Sequence, residues 1–318
     1  MLLRTFLLRR LTTTLVTLFL ASLLVFAACQ LLPGDIGRAV LGPFAAPEAV
    51  AALNAKLGTD QPAHLQYLRW LGGVFNGSLG VSLSHGQPVA PKLWAAMAQS
   101  AQLALVVVGL LVPLAMAAGI WAGLRKGKLV DRVILLTGIS LATVPDFVTA
   151  LLLVILFSLW LGWLPVSGPP DGAGAAETLR HLILPALPLV INLFGYIARI
   201  VRAGVIRASE ADFTRTAILK GLPFRIVLLC HILPNALAPT VAVLATQISN
   251  LLGGIVVIEA LFNIQGLGAL VAQAAKGRDY PTLQAGVLTM VVIYGVVTLL
   301  GDLLQLILDP RQRERPGG

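Results

Sequence analysis

The stretch AQLALVVVGLLVPLAMAAGIWAGL, residues 101–124, contains no charged side chain. As a helix it would be about 36 Å long at 1.5 Å per residue, which is enough to cross the roughly 30 Å hydrocarbon core of a bilayer. It lacks the strict alternation of polar and apolar residues that is typical of a membrane barrel strand. The stretch therefore predicts a transmembrane helix, which satisfies its backbone hydrogen bonds within the segment.

Comparable apolar stretches occur along the whole chain. Together they predict six transmembrane helices, at residues 11–32, 101–124, 133–163, 181–200, 235–260 and 283–308. The third stretch is too long for one straight span, so we expect a break at Thr143-Val144-Pro145. The chain of 318 residues is 57% hydrophobic and only 12% charged, which excludes an ordinary cytosolic enzyme, a disordered protein and a coiled coil.

Positive charge is concentrated in the segments on one side of these predicted helices. Sixteen of the 23 Lys and Arg lie before the first stretch, after the sixth, between stretches two and three, or at the end of stretch four and between stretches four and five. Under the positive-inside rule, those segments and both termini are cytoplasmic. The net charge of +9 is therefore a topology signal, and no nucleic-acid partner is expected.

This topology divides the chain into four parts. Residues 1–32 form an N-terminal segment with the first transmembrane helix, and residues 33–100 form an external segment. Residues 101–310 form a five-helix core that contains a cytoplasmic loop at 204–233, and residues 311–318 form a tail. Within the external segment, helical spacing at 46–57 and an amphipathic pattern at 65–74 predict two helices that pack on the membrane domain or on a partner.

The first apolar run also resembles a cleavable signal, because it ends at Phe26-Ala27-Ala28-Cys29. Two features favour an uncleaved helix. The run from 11 to 28 is longer than the usual signal core, and Phe26 occupies a position where a small aliphatic residue is normal. Cleavage would also place the basic loops on the wrong side of the membrane.

We find no catalytic constellation, so the chain is predicted not to be an enzyme and to need no cofactor or metal. The nearest match to a phosphate-binding loop, at 123–129, is one residue short and lacks the final Ser or Thr. The four histidines are scattered, and two cysteines cannot make a disulfide framework. Asp146 is the clearest charge inside a predicted span, and it either lines a polar translocation path or bonds to a neighbouring helix.

The loop at 204–233 contains residues that typically begin and end helices, at a spacing that predicts two short helices. Ser209 and Asp212 have the spacing of a capping box, which predicts a first helix that Gly221 ends. Pro223 suits the first turn of a second helix, which Pro234 would limit or kink.

Thirty residues cannot build a core of their own, so the faces of these two helices require something to pack against. The apolar positions available for docking are Phe213, Ala217, Ile218 and Leu222. They would dock either on a partner protein or on lipid headgroups, and composition alone does not decide between the two.

The same loop carries a family resemblance. The residues Thr214-Arg215-Thr216-Ala217, then Lys220-Gly221-Leu222, then Leu233-Pro234, resemble the cytoplasmic loop of ABC importer permeases. The general Glu-Ala-Ala positions of that loop fall on Arg215, Thr216 and Ala217, and its Ile falls on His231. The form Thr-Ala-x-x-Lys-Gly-Leu is the one seen in the peptide and nickel permease branch.

Further segments resemble the same branch, in the same order along the chain. They are Leu32-Pro33-Gly34-Asp35, Asp60-Gln61-Pro62, Gly77-Ser78-Leu79-Gly80, Pro185-Ala186-Leu187, Glu259-Ala260-Leu261-Phe262 and Leu308-Asp309-Pro310-Arg311. Gln265 stands where the family often has Pro.

The resemblance implies an all-α polytopic membrane protein with the type I ABC importer permease fold, located in the bacterial inner membrane. It implies half of a translocation pore for di- or oligopeptides, with nickel or another small solute as the alternative cargo. The implied partners are a second homologous permease, two cytoplasmic ATP-binding subunits, an external substrate-binding protein and membrane lipid. From another functional class, an ion-coupled secondary carrier stays open, although such carriers often show internal repeats and this chain shows none.

The resemblance also implies roles for particular residues of this chain. The residues implied to contact the ATPase are Arg215, Thr216, Ala217, Lys220, Gly221, Leu222, Leu233 and Pro234. Gly221 would permit a tight turn at the contact, Ala217 would allow close packing, and Arg215 and Lys220 would pair with acidic groups.

Overall fold

The computed structural model describes residues 2–31, 36–42, 44–170 and 172–308, and its long elements are all helices. In chain order these are α1 (Leu2–Leu31), α2 (Ile36–Leu41), α3 (Pro47–Leu57), α4 (Ala63–Phe75), α5 (Val89–Leu124), α6 (Leu129–Ala142), α7 (Asp146–Leu153), α8 (Ala175–Glu210), α9 (Asp212–Leu219), α10 (Phe224–Ile226), α11 (Leu233–Leu261), α12 (Leu267–Lys276) and α13 (Tyr280–Leu308). A π-helical turn at Val154–Trp160 follows α7, and another at Val227–Ile232 joins α10 to α11.

Four of the described helices are long and apolar enough to cross a membrane. They span Leu8–Gln30, Val89–Leu124, Ala175–Glu210 and Tyr280–Leu304. A fifth crossing results if Leu129–Ala142 and Asp146–Trp160 are counted together. Helix α11 covers the stretch at 235–260, but it is not among these crossings, so the number six stays a prediction.

The break expected in the third apolar stretch is confirmed. Helix α6 ends at Ala142, α7 begins at Asp146, and the two are bent by 104°. Pro145 is the cause, because proline has no N–H to donate and disfavours helical backbone at the preceding residue. Asp146 consequently stands in the first turn of a new helix.

The chain folds as two compact units. The first contains residues 1–10, 101–264 and 296–318, and the second contains residues 11–100 and 265–295. Helix α8 organises the core of the first unit, in which Ile197, Val201 and Val205 repeat at intervals of four and are fully buried. Helices α6 and α11 pack along α8.

Helices α6 and α8 approach each other so closely that only glycine fits at the crossing. A Cβ atom built on Gly195 would overlap the backbone of Gly138, and the reverse is also true. Close approach of two helix backbones increases the dispersion contacts between them, and it is common where helices pack in membranes. Any side chain at these positions would force the two helices apart.

The second unit has its own small core. Val89, Leu93 and Ala96 of α5 are buried with Leu267 and Leu270 of α12, and with Ala285 of α13. Helices α3 and α4 confirm the helices that the sequence predicts at 46–57 and 65–74. They belong to this unit, and the external segment contributes Val89, Leu93 and Ala96 to its core.

Candidate functional site

The loop at 204–233, which we call the docking segment, begins as a continuation of α8. Helix α8 runs for 36 residues without interruption and ends at Glu210. Ala211 has extended backbone angles and acts as the N-cap of α9. Asp212 in the first turn of α9 suits the positive end of the helix dipole. One continuous helix therefore connects the core of the first unit to the docking segment.

One side of α9 is fixed to the core. Thr214 is buried and its hydroxyl donates to the carbonyl of Ala208, at 2.7 Å. Ala217, one turn later, is only 4% exposed and belongs to the main core cluster with Val205 and Val227. Positions 214 and 217 lie on the same face of a helix. Helix α9 is therefore anchored along this face to α8 and to the π-helical turn.

Gly221 ends α9 in a Schellman motif. The N–H of Leu222 donates to Ala217 O at 3.3 Å, and the N–H of Gly221 donates to Ile218 O at 2.9 Å. Gly221 has φ of +79°, a left-handed conformation that disfavours any residue with a Cβ. No atom lies within 4 Å of the place where a Cβ would be. Glycine is therefore required here by backbone conformation and not by lack of space.

The opposite side of the docking segment exposes large apolar side chains. Leu219 is 80% exposed and Phe224 is 57% exposed, although both are strongly hydrophobic. We define the docking face as the exposed apolar and basic side chains of α9, the Gly221 turn and α10. It consists of Phe213, Arg215, Ile218, Leu219, Lys220, Leu222, Phe224, Arg225 and Ile226. Several large exposed apolar side chains accompanied by polar ones are typical of a protein interaction site.

The sequence prediction for this segment is partly wrong. Ser209 is not an N-cap, because α8 continues past it to Glu210 and Ala211 takes the cap position. Ala217 is not available for docking, because it is buried against the core. The apolar side chains of Phe213, Ile218 and Leu222 are exposed as predicted.

The predicted second short helix is also absent as a separate element. Helix α10, the π-helical turn and α11 follow one another through Pro234. A proline normally clashes with the carbonyl four residues earlier, and the wider π turn directly before it relieves that clash. Asn235 Nδ2 donates to the His231 carbonyl at 2.7 Å, which satisfies an acceptor at this irregular point. Leu233 is half-buried and Pro234 is exposed at the start of α11.

The residues that the sequence interpretation missed are Leu219, Phe224, Arg225 and Ile226. The available signal was helical periodicity. If the small residue Ala217 is placed inward together with Thr214, then positions 215, 218 and 219 of the same helix must point outward. The interpretation instead placed Ala217 with the outward residues.

Two ion pairs tie the neighbouring basic loop to α8. Arg202 contacts Asp131 through both its Nε and its Nη2, and Asp131 also accepts the N–H of Gly127 at 2.8 Å. Lys126 Nζ lies 2.6 Å from Glu210 Oε1. The segment between α5 and α6 and the docking segment therefore lie at the same end of α8. Their shared location agrees with the sequence prediction that both face one side of the membrane.

Asp146 lies where three helices of the first unit meet. Its Oδ2 faces Gly254 of α11, and the side chain of Asn192 on α8 faces the carboxylate. Its Oδ1 is buried and has no hydrogen-bond partner among the described residues. Most buried polar groups in proteins are hydrogen-bonded, so an acceptor without a partner requires an explanation.

Comparison with known proteins identifies the family. The model of the binding-protein-dependent transport system inner membrane component matches residues 115–314, and the model of its N-terminal part matches residues 2–116. The chain belongs to this family. A protein of Sinorhizobium fredii named "Probable peptide ABC transporter permease protein" is 33% identical over 97% of this chain and 99% of its own length. The glutathione transport system permease protein of Escherichia coli is also 33% identical, over 97% of this chain and 98% of its own length.

The family membership agrees with the structure. This permease is an inner membrane component of an ABC transport system and is not itself the ATPase of that system. The helical fold with several candidate membrane crossings is the one that the resemblance implies. The docking segment lies within the matched region, residues 115–314.

Proposed function

We propose that this permease forms half of the translocation pore of an ATP-driven importer, paired with a second homologous permease. Two cytoplasmic ATP-binding subunits would supply the energy and an external binding protein would deliver the substrate. The permease lies in the bacterial inner membrane with both termini cytoplasmic. The distribution of Lys and Arg supports this orientation, and the Arg10–Asp302 pair, at 3.1 Å, brings the two ends of the chain together.

The observation that carries this proposal is the docking face. Its outer side exposes Leu219 and Phe224, whereas its inner side is locked to α8 by Thr214 and Ala217. A push on the face would move α9 and α8 together, because nothing flexible separates them except the single extended residue Ala211. Closure of the ATP-binding subunits would therefore be transmitted to the helices around the pore, which is the requirement for alternating access.

Di- or oligopeptides are the proposed cargo. The support is that relatives covering almost the whole chain are named peptide and glutathione permeases. Asp146 is proposed to line the translocation path, because it is a carboxylate in the first turn of α7, at the bend of a candidate membrane crossing.

Uptake by the reconstituted importer tests the proposal. Proteoliposomes with both permeases, the ATP-binding subunits and the binding protein are expected to transport a labelled dipeptide when ATP is supplied on the side of the membrane that carries the ATP-binding subunits. Gly221→Asp is expected to reduce uptake at least about tenfold while the complex still assembles and hydrolyses ATP, because it adds a carboxylate between the exposed Leu219 and Leu222 at a turn whose φ of +79° favours glycine. Uptake that follows an ion gradient without ATP would instead support a secondary carrier.

A further inference from the structure

The second unit contains a cavity that lies apart from the docking segment in the chain. It measures about 310 Å³ and lies among the end of α1, helix α4, the turn at 78–83 and the start of α13. Its wall includes Phe26, Trp70 and Tyr280, and it is predominantly apolar. A cavity of this size and character is at the lower end of the range for small-molecule sites.

The polar groups in the wall select for an anion. Among the described residues that line the cavity, Arg69 alone carries a formal charge, and it is a cation. The guanidinium of Arg69 lies over Gly58, whose φ is +72°, so the absence of a Cβ there makes room for it. A guanidinium is a donor with a fork geometry that matches a carboxylate.

We propose that this cavity binds the carboxylate of a short peptide, with Arg69 as the donor and the aromatic wall, which includes Trp70, around an apolar side chain. The inference rests on the proposed function in one respect, which is that the end of α1 faces the side from which peptides arrive. The site is a binding site on the permease itself and is additional to the binding protein. It would hold a delivered peptide by its carboxyl end before translocation.

Cys29 supplies a built-in reporter of occupancy. It lines the cavity and is a free thiol, and the second cysteine of the chain, Cys230, is exposed elsewhere. In the assembled complex carrying Cys230→Ser, the rate of Cys29 modification by N-ethylmaleimide is followed by mass spectrometry of this chain. Where Cys29 reacts too slowly, Thr59→Cys places a more exposed thiol on the same wall.

The expected result is protection by alanyl-phenylalanine and at least about tenfold weaker protection by its C-terminal amide, because a hydrogen bond to a charged group contributes about that much. Arg69→Gln is expected to weaken protection by the free dipeptide about tenfold, and Arg69→Lys by less. Lys92→Gln removes a positive charge from the same unit but not from the cavity wall, so it is expected to change nothing.

Three outcomes would overturn the inference. They are equal protection by the acid and the amide, an equal effect of the Lys92 and Arg69 variants, and full protection by phosphatidylglycerol nanodiscs without peptide. The last would make a lipid headgroup the occupant. Each of these is distinct from failure of the proposed function, which would show as a complex that imports no peptide with ATP.

Discussion

Helix α8 contacts its surroundings in two different ways. In the core of the first unit, Gly195 lies against Gly138 so closely that the two helix backbones touch. At the far end, beyond Glu210, the chain does the opposite and leaves Leu219 and Phe224 uncovered. The first arrangement holds α6 and α8 together, and the second leaves an apolar surface for which we propose a partner. The difference separates residues that pack the core from exposed residues to which the proposal assigns energy transfer.

The largest effect is expected from adding a side chain where α6 and α8 cross. Gly195→Ala should destabilise the permease by about 1–3 kcal/mol, because the new Cβ overlaps the Gly138 backbone and the helices must separate. Thermal unfolding of the purified permease measures this, and lost uptake should follow lost protein. Gly253→Ala is the matched control, because nothing lies within 4 Å of its Cβ. Equal behaviour of the two variants would refute the close contact.

The next effect concerns the docking face. Leu219→Asp should weaken binding of the ATP-binding subunits about tenfold or more, because a buried leucine contributes about 1.5–3 kcal/mol to an interface. The isolated permease should keep its stability, since this side chain is exposed. Affinity of the purified subunits measures the effect. Leu68→Asp, an equally drastic change at an exposed leucine of α4, should leave that affinity unchanged.

A smaller effect is expected at Asp146. Asp146→Asn keeps the size of the side chain but removes its charge, so uptake should fall several-fold while assembly is preserved. Comparing uptake with the yield of assembled complex shows whether Asp146 lines the translocation path or only bonds to a neighbouring helix. If assembly fails and uptake per complex is normal, Asp146 only holds α7 against α8 and α11.

The smallest effect is expected from the cations at the edge of the docking face. Arg225→Gln should reduce the affinity for the ATP-binding subunits less than about fivefold, because exposed ion pairs contribute about 0–1 kcal/mol. The difference from the unmodified permease should shrink further at high salt. A loss as large as that of Leu219→Asp would show that charge, not apolar contact, dominates the docking face.

Apolar runs and proline predicted most of the helices. The bend before Asp146 follows from Pro145, because proline restricts its own backbone and lacks an N–H. The end of α9 follows from Gly221, because glycine adopts the positive φ of a helix C-terminus without steric cost. Local signals of this kind are readable without tertiary structure.

The orientation of the docking segment was not readable from local signals. Ser209 has the preference of an N-cap, but packing of Val205 and Ala208 in the core extends α8 beyond it, and such packing overrides local preference. The hydrogen bond from Thr214 to Ala208 then turns Ala217 inward. The cavity of the second unit is still less readable, since Cys29 and Gln284 are far apart in sequence.

The central claim is that the docking face contacts the ATP-binding subunit of the importer. The most direct measurement is photo-crosslinking from benzoylphenylalanine at position 219 in the assembled transporter, with position 68 as the control. The account predicts that the ATP-binding subunit is crosslinked from position 219 and not from position 68. Crosslinks from position 219 to lipid alone would contradict it.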